Sequence, residues 1–172
     1  MLIRGNADYL SAVRQQLYTA VLSDVLDELG FRHQAMPPSI RPLDDTLVMA
    51  GFARTGSYRE VYRVVPDENP YELEMALIDD LRSDDIAVFG CGGSSRIAPW
   101  GELLTTASRA RGAAGCVTDG FVRDIRQIRS LRFPHATPRR ALRRGSGGSR
   151  LQRRRHRGAA QPRRDQDGTT LK

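Results

Sequence analysis

Four stretches of the chain carry apolar residues every three or four positions, the spacing that places them on one face of an α-helix. The helices predicted from this spacing span residues 19–29, 69–81, 100–111 and 124–131. The first helix carries a single apolar stripe, formed by Leu17, Val21, Leu22, Val25, Leu26 and Leu29. Gly30 and Gly112 are typical helix stops, and Asn69 is a typical capping residue. On the third helix we predict four inward-facing residues, Leu103, Leu104, Ala107 and Ala110.

Shorter apolar runs between these helices predict β-strands. The predicted strands cover residues 46–58, 61–65, 86–89 and 114–118, and a further strand opens at Phe133. Three prolines, Pro37, Pro38 and Pro42, indicate a loop before the first strand. Because the strands alternate with helices, the pattern favours a layered α/β domain.

This pattern stops at about residue 138, where the composition changes. Residues 139–172 hold eleven arginines and one lysine against two aspartates, a net charge of +10, whereas residues 1–138 carry −3 of the chain's total of +7. The last 34 residues contain no Val, Ile, Phe, Tyr, Trp or Met. We therefore predict a folded domain over residues 1–138 and a disordered, arginine-rich tail over residues 139–172.

The charge distribution narrows the possible partners. A pI near 10.2 is typical of nucleic-acid binders, but the basic residues lie in a tail without Phe, Tyr or Trp to stack on bases, so nucleic-acid binding is not favoured. No apolar run approaches the roughly 18 residues of a membrane span, and the N-terminus lacks the pattern of a signal peptide. Cys91 and Cys116 do not form a disulfide framework. The sequence predicts a cytoplasmic protein that does not bind membranes.

Candidate chemistry is concentrated between Pro99 and Asp124. A helix that begins near Gly101 leaves its first N–H groups without partners, and those groups with the positive end of the helix dipole suit a carboxylate or phosphate. Glycine lets such a ligand approach the backbone closely. The amides of Leu103 and Leu104 are then candidate anion ligands.

A second group of charged residues follows the next predicted strand. Arg123 can hold a carboxylate through two parallel hydrogen bonds, and Asp124 can ligate a hard cation such as Mg²⁺, which often takes only one or two protein carboxylates. Glu102 precedes this pair with twenty residues between them. Strand-to-helix geometry could bring the three side chains to one edge of the sheet. The alternatives are a solvated Arg-Asp surface pair and a glycine that only caps a helix.

The glycine-rich stretch Gly90–Ser95 also follows a predicted strand. It lacks the third glycine of the dinucleotide-binding fingerprint and the Gly-Lys-Ser/Thr of a P-loop. We interpret it as a flexible loop beside the candidate site.

Several collinear motifs resemble the RraA-like family, which takes in the regulator of ribonuclease E activity A and the class II 4-hydroxy-4-methyl-2-oxoglutarate aldolases. The resemblance is carried by residues 100–104 (WGELL), 111–124 (RGAAGCVTDGFVRD), 23–30 (SDVLDELG) and 50–55 (AGFART). It runs in order from about Tyr18 to Phe133. It implies a layered α/β/β/α, swivelling-domain-like fold.

The resemblance also implies a role for each matching residue. The carboxylate of a small 2-oxo acid would be bound by the backbone amides of four consecutive residues, Gly101, Glu102, Leu103 and Leu104. Arg123 would contact the substrate's oxygens and stabilise an enolate, and Asp124 would ligate Mg²⁺ or Mn²⁺. Glu102 stands where the aldolases usually have Asp, so its carboxylate is displaced by about one methylene from the place where it would hold a water molecule beside the metal.

The implied activity is that of a divalent-metal-dependent lyase. It would cleave 4-hydroxy-4-methyl-2-oxoglutarate-type acids to pyruvate in a retro-aldol reaction and decarboxylate oxaloacetate through the same pyruvate enolate. The alternative is a non-catalytic regulator that binds a ribonuclease or another protein.

The chain departs from the family after Thr137. Family members continue there with further strands. If the C-terminal part of this chain were intact, the resemblance would imply assembly as a homotrimer or hexamer. The tail's Arg, Gly, Ala, Pro and Gln are encoded by GC-rich codons. We hypothesise that a frameshift near residues 134–138 replaced the natural C-terminal part, which sequencing of the locus would test.

Overall fold

The computed structural model describes residues 7–63 and 69–140. Within them the chain forms the five helices α1 (Ala7–Gln16), α2 (Thr19–Glu28), α3 (Glu72–Asp79), α4 (Glu102–Ala110) and α5 (Ile125–Ser130). The strands are β1 (Ile40–Pro42), β2 (Phe52–Ser57), β3 (Asp85–Gly90), β4 (Gly115–Thr118) and β5 (His135–Pro138). Of the predicted disordered tail, residues 141–172 lie outside the described residues. The α/β class is confirmed.

The five strands form one sheet in the order β1-β5-β4-β3-β2. Strands β2 to β5 are parallel, and β1 pairs antiparallel with β5 at the edge. Because the four parallel strands end at the same edge of the sheet, the loops that follow them lie side by side. Among the helices described, none is long and apolar enough to cross a membrane.

The core lies between one face of the sheet and helices α3 to α5. Ala87 and Cys116 are register partners on this face, and both are fully buried. Trp100 is also fully buried, with its ring 5.7 Å from that of Phe89 and 6.2 Å from that of Phe133. The loop that precedes α4 is therefore anchored in the centre of the core.

The four predicted helices and the strands at 86–89 and 114–118 are present, with ends shifted by up to a few residues. Asn69 was predicted to cap α3, but the residue at the N-cap of this helix is Tyr71. The side-chain oxygen of Asn69 instead accepts the N–H of Tyr71 at 3.0 Å, in the turn before the helix. Helix α1 and strand β1 were not predicted. Proline in the short run of β1 indicated a loop, but an edge strand tolerates proline, and β1 lies at the edge.

Two strand predictions were wrong in part. Residues 46–51 form no strand. At their start, the carboxylate of Asp44 accepts the backbone N–H and the hydroxyl of Thr46 and makes a turn. Strand β2 begins at Phe52, whose N–H donates to the carbonyl of Asp84 at 2.9 Å. Residues 61–63 also form no strand, and residues 64–65 lie outside the described residues.

The predicted inward face of α4 was wrong at two positions. Leu103 is 80% exposed and Ala110 is exposed, whereas Leu104 and Ala107 pack against the core. The buried residues of α4 are Thr105 and Ser108. The hydroxyl of Thr105 accepts the indole N–H of Trp100 at 2.8 Å and donates to the carbonyl of Gly101 at 2.9 Å, so a polar side chain is satisfied inside the core.

Candidate functional site

The candidate site lies at the sheet edge where the parallel strands end. The β3–α4 loop (residues 91–101) leads into α4 at Gly101, and the β4–α5 loop (residues 119–124) carries Arg123 and Asp124 into α5. Trp100 and Val122 form a parallel bridge between the two loops. The N–H of Arg123 donates to the carbonyl of Trp100 at 3.0 Å. The two segments singled out in the sequence are therefore adjacent in space.

Gly101 is in direct contact with the Arg-Asp pair. A Cβ atom at Gly101 would lie 2.7 Å from Oδ2 of Asp124 and 3.0 Å from Cγ of Arg123. Because the backbone of Gly101 is extended, with φ −158°, close approach rather than backbone conformation requires glycine here. Any larger residue would push the two charged side chains away from the start of α4.

The carboxylate of Asp124 is directed at the N-terminus of α4. Its Oδ2 accepts the N–H of Glu102 at 3.2 Å. Helix geometry leaves the next N–H groups, those of Leu103 and Leu104, without intrahelical acceptors. The helix start therefore combines one amide held by Asp124 with two amides that suit an external anion.

Asp124 adopts a left-handed conformation, with φ 56° and ψ 36°, at the residue that caps α5. Its side chain makes no capping hydrogen bond to α5. A non-glycine residue in this region costs about 1–2 kcal/mol, although Asp tolerates it better than most residues. Such strain is typical of functional sites, and the carboxylate of this residue is directed at α4.

The site is open at the surface. The side chains of Glu102, Arg123 and Asp124 are all exposed, as is that of Leu103. Among the ion pairs of residues 7–63 and 69–140, none includes Arg123. A guanidinium group is thus available to an anionic ligand next to the start of α4.

The donor set at this edge fits a hard divalent cation. Asp124 and Glu102 supply carboxylate oxygens, and Mg²⁺ commonly takes one or two protein carboxylates and keeps several waters. The described part of the chain contains no group of three or more His, Cys, Asp or Glu placed to enclose a metal ion. A cation here would therefore complete its shell with water or substrate oxygens.

Asp119 was interpreted in the sequence only as a turn residue, and the structure gives it a larger part. Its Oδ1 accepts the N–H of Cys91, and its Oδ2 accepts the N–H of Gly93 at 2.9 Å. A carboxylate of the chain itself thus occupies these amides of the glycine-rich loop, which agrees with the rejection of a phosphate loop. The sequence signal was an aspartate directly after a buried strand, facing a glycine pair after the neighbouring strand.

The side chains of Cys91, Cys116 and His135 are buried, so none of them is exposed at the candidate site. Burial raises the pKa of the Cys91 and Cys116 thiols. Burial also lowers the pKa of His135 to about 3, so the imidazole is neutral at physiological pH. Its ring lies 5.8 Å from that of Trp100, in the core rather than at the exposed site.

Comparison with known proteins places this geometry in a family. The family model RraA-like, described as Aldolase/RraA, matches residues 19–153. This match includes both loops of the candidate site and extends beyond the region carried by the sequence motifs.

Two curated relatives each match about three quarters of this chain. Protein DlpA of Legionella pneumophila is 29% identical over 134 residues, which cover 74% of this chain and 20% of that protein. A protein of Halalkalibacterium halodurans, named provisionally as a 4-hydroxy-4-methyl-2-oxoglutarate aldolase, is 28% identical over 131 residues, which cover 76% of this chain and 56% of that protein. This chain thus spans about half of the second relative and a fifth of the first.

A solved structure shows the same fold. The Streptomyces coelicolor protein RraAS2, described as an unusual member of the RNase ES inhibitor RraA protein family, superposes with a TM-score of 0.64 at 23% identity. The superposition covers 80% of this chain and 65% of that one. At this identity the likeness supports the fold and not a shared activity.

Proposed function

We propose, from the premise that this chain belongs to the RraA-like family, that it is a divalent-metal-dependent lyase acting on small 2-oxo acids. The substrates would be 4-hydroxy-4-methyl-2-oxoglutarate-type acids, cleaved to pyruvate, and oxaloacetate, decarboxylated to pyruvate. The family includes both aldolases and ribonuclease inhibitors, so the choice between them depends on the residues of this site.

One observation carries the proposal: Arg123 and Asp124 lie against Gly101 at the start of α4. A surface built only to bind a protein has no need of a strained aspartate whose carboxylate points at helix amides beside a free guanidinium. A site for a small oxyacid needs this combination, because it must hold negative charge on adjacent oxygens.

In this proposal the substrate carboxylate is bound by the N–H groups of Leu103 and Leu104, where the helix dipole adds to the hydrogen bonds. Arg123 binds the substrate's oxygens and orients the C2 carbonyl. The exposed side chain of Leu103 lies next to this carboxylate position and can cover one side of it.

Asp124, with Glu102 nearby, would hold Mg²⁺ or Mn²⁺. When bound, the cation withdraws electrons from the C2 carbonyl and so favours cleavage of the bond beyond C3. Arg123 then stabilises the negative charge that develops on the enolate oxygen.

The proton balance of the retro-aldol reaction assigns a role to Glu102. The C4 hydroxyl loses its proton as the C3–C4 bond breaks, and C3 of the enolate gains a proton to give pyruvate. The exposed carboxylate of Glu102 can take up and return this proton through a water molecule.

A pyruvate-release assay with and without Mg²⁺ tests the proposal. We expect metal-dependent turnover of oxaloacetate and of a 4-hydroxy-2-oxo acid, and a loss of at least a hundredfold in Arg123→Ala, as for other groups that stabilise an oxyanion. Arg126→Ala is the matched control, because Arg126 is an exposed arginine on α5. Absence of turnover in the folded protein, or full activity in Arg123→Ala, would reject the lyase.

A second candidate function is that of a non-catalytic regulator, which the surface of α2 favours. None of the residues of α2 is buried, and the apolar side chains of Val25 and Leu29 are 47% and 68% exposed. An exposed apolar helix face suits a protein partner such as a ribonuclease. Titration of the purified chain against a ribonuclease of the RNase E type would show binding, and Val25→Ser should weaken it.

A second apolar surface, away from α2, supports assembly of the chain with itself, which the family resemblance implies as a homotrimer or hexamer for an intact C-terminal part. On the sheet face opposite the core, Val88 and Val117 line a pocket of about 630 Å³ with Met36 and Ile40. Light scattering after gel filtration tests this assembly, and a monomer at micromolar concentration would reject it.

A further inference from the structure

Asp119 joins the two loops that build the candidate site. It is the first residue of the β4–α5 loop, and its two carboxylate oxygens accept the N–H groups of Cys91 and Gly93, at the start of the β3–α4 loop. These two loops end in Asp124 and Gly101 respectively. The side chain of Asp119 therefore connects the first residues of the two loops. The candidate site lies at the last residues of the same loops.

The β3–α4 loop is shaped to receive a carboxylate. Gly92 and Gly93 adopt left-handed conformations with φ 60° and 66°, and in this turn the N–H groups of Cys91 and Gly93 both point at one carboxylate. Gly120 brings the second loop close, since a Cβ atom there would lie 2.8 Å from Sγ of Cys91. The short arm of aspartate fits this separation.

The connection continues from Asp119 to the site through successive contacts between the loops. The N–H of Phe121 donates to the carbonyl of Ile97 at 2.9 Å, and the N–H of Arg123 donates to the carbonyl of Trp100 at 3.0 Å. Asp124 then contacts Gly101. A shift of one loop at Asp119 would therefore be transmitted along this row to the Arg-Asp pair.

Arg140 provides a second, weaker connection. Its Nη2 donates to the carbonyl of Gly93 and, at 3.4 Å, to that of Ser94. Its guanidinium carbon lies 5.6 Å from the centre of the Phe121 ring. Because Arg140 is exposed, its contacts are more readily replaced by water than those of Asp119.

We propose that Asp119 is a positioning residue that sets the spacing between the start of α4 and the Arg-Asp pair. Its effect on catalysis rests on the lyase function proposed above, whereas its effect on the coupling of the two loops does not. Loss of one accepted N–H bond lets the loops separate, and a misplacement of about 1 Å can cost a hundredfold in rate.

The test compares Asp119→Asn, Asp119→Glu and Arg140→Ala with the unaltered protein, by backbone amide hydrogen exchange and by steady-state kinetics. We expect exchange to rise at least tenfold in both residues 91–95 and residues 121–124 of Asp119→Asn, with β3 and β4 unchanged. In Asp119→Asn, kcat should fall about ten- to a hundredfold, with a smaller change in KM. Asp119→Glu should recover part of the lost kcat. Arg140→Ala should lose less kcat than Asp119→Asn.

Asp44→Asn is the matched control. Asp44 also accepts a backbone N–H, that of Thr46 at 2.9 Å, but it follows β1 at the opposite edge of the sheet. Exchange in the two site loops and kcat should stay within twofold of the unaltered values in this variant.

The outcomes separate the two proposals. If the unaltered protein releases no pyruvate, the lyase function fails, and hydrogen exchange still decides the loop coupling. If the protein is active but Asp119→Asn retains kcat, or if exchange rises only in residues 91–95, the positioning role is overturned. If Asp119→Asn does not fold, Asp119→Glu is compared with the unaltered protein by the same two measurements, and unchanged exchange at residues 121–124 in that variant would overturn the positioning role.

Discussion

Helices α2 and α4 are both amphipathic in sequence, yet only α4 packs with buried residues against the core. Helix α4 lies on the sheet with Thr105 and Ser108 fully buried, whereas no residue of α2 is buried, although its sequence carries the longer apolar stripe. The apolar spacing thus predicts that a helix forms but not what covers its apolar face. On α4 the anchor is Trp100, just before the helix, and α2 has no such anchor.

The largest effect should come from removing that anchor. Trp100→Ala deletes a fully buried side chain that packs between Phe89 and Phe133, and such truncations cost about 3–5 kcal/mol. Urea unfolding followed by circular dichroism measures this loss. Leu29→Ala, at the residue directly after α2, is the control, and it should change the free energy of unfolding by less than about 0.5 kcal/mol. Equal losses in the two variants would contradict the comparison.

Acid should lower the free energy of unfolding through a group in the core that α4 covers, and not through the surface of α2. Burial lowers the pKa of His135 from 6.5 to about 3, so the unfolded chain takes up a proton on His135 below pH 6.5 while the folded chain does not. Stability from this group is full above pH 6.5 and falls by up to about 1.4 kcal/mol per pH unit toward pH 3.

His135→Phe should flatten this dependence between pH 6.5 and 4, as measured by thermal unfolding at a series of pH values. His33→Gln is the control, because His33 is exposed and its replacement should leave the slope as it is. An unchanged slope in His135→Phe would show that other groups cause the acid sensitivity.

A smaller effect should follow from Thr105→Val on α4. The substitution removes the acceptor of the Trp100 indole N–H, and an unsatisfied buried donor costs about 1–3 kcal/mol. The exposed neighbour Thr106 gives the matched control, Thr106→Val. If both variants unfold at the same urea concentration, the hydrogen bond does not hold the helix to the core.

The smallest effect on the isolated chain should come from α2. Val25→Ser replaces a side chain that is 47% exposed, so the free energy of unfolding at nanomolar protein should change by less than about 0.5 kcal/mol. A loss above 1 kcal/mol that appears only at high protein concentration would show that an assembled partner covers this face, and so would remove the contrast with α4.

Much of the candidate site could be predicted from the sequence. A helix start at Gly101 and an Arg-Asp pair after the next strand were visible as local patterns, because both are set by short-range backbone preferences. Their adjacency follows from the shared edge of parallel strands. The role of Asp119 could not be found in this way, because its partners Cys91 and Gly93 lie 28 and 26 residues away.

Local periodicity with nearby caps and turns was enough to predict the α/β class, four of the five described helices and the loops that carry Gly101, Arg123 and Asp124. The structure was needed to show that Leu103 faces outward, that Thr105 faces inward and that the carboxylate of Asp124 turns to α4. These choices depend on contacts between segments far apart in the chain, namely the burial of Trp100 and the approach of one loop to another. The position of a helix on a sheet is set by the side chain that fills the core, and no local pattern specifies that partner.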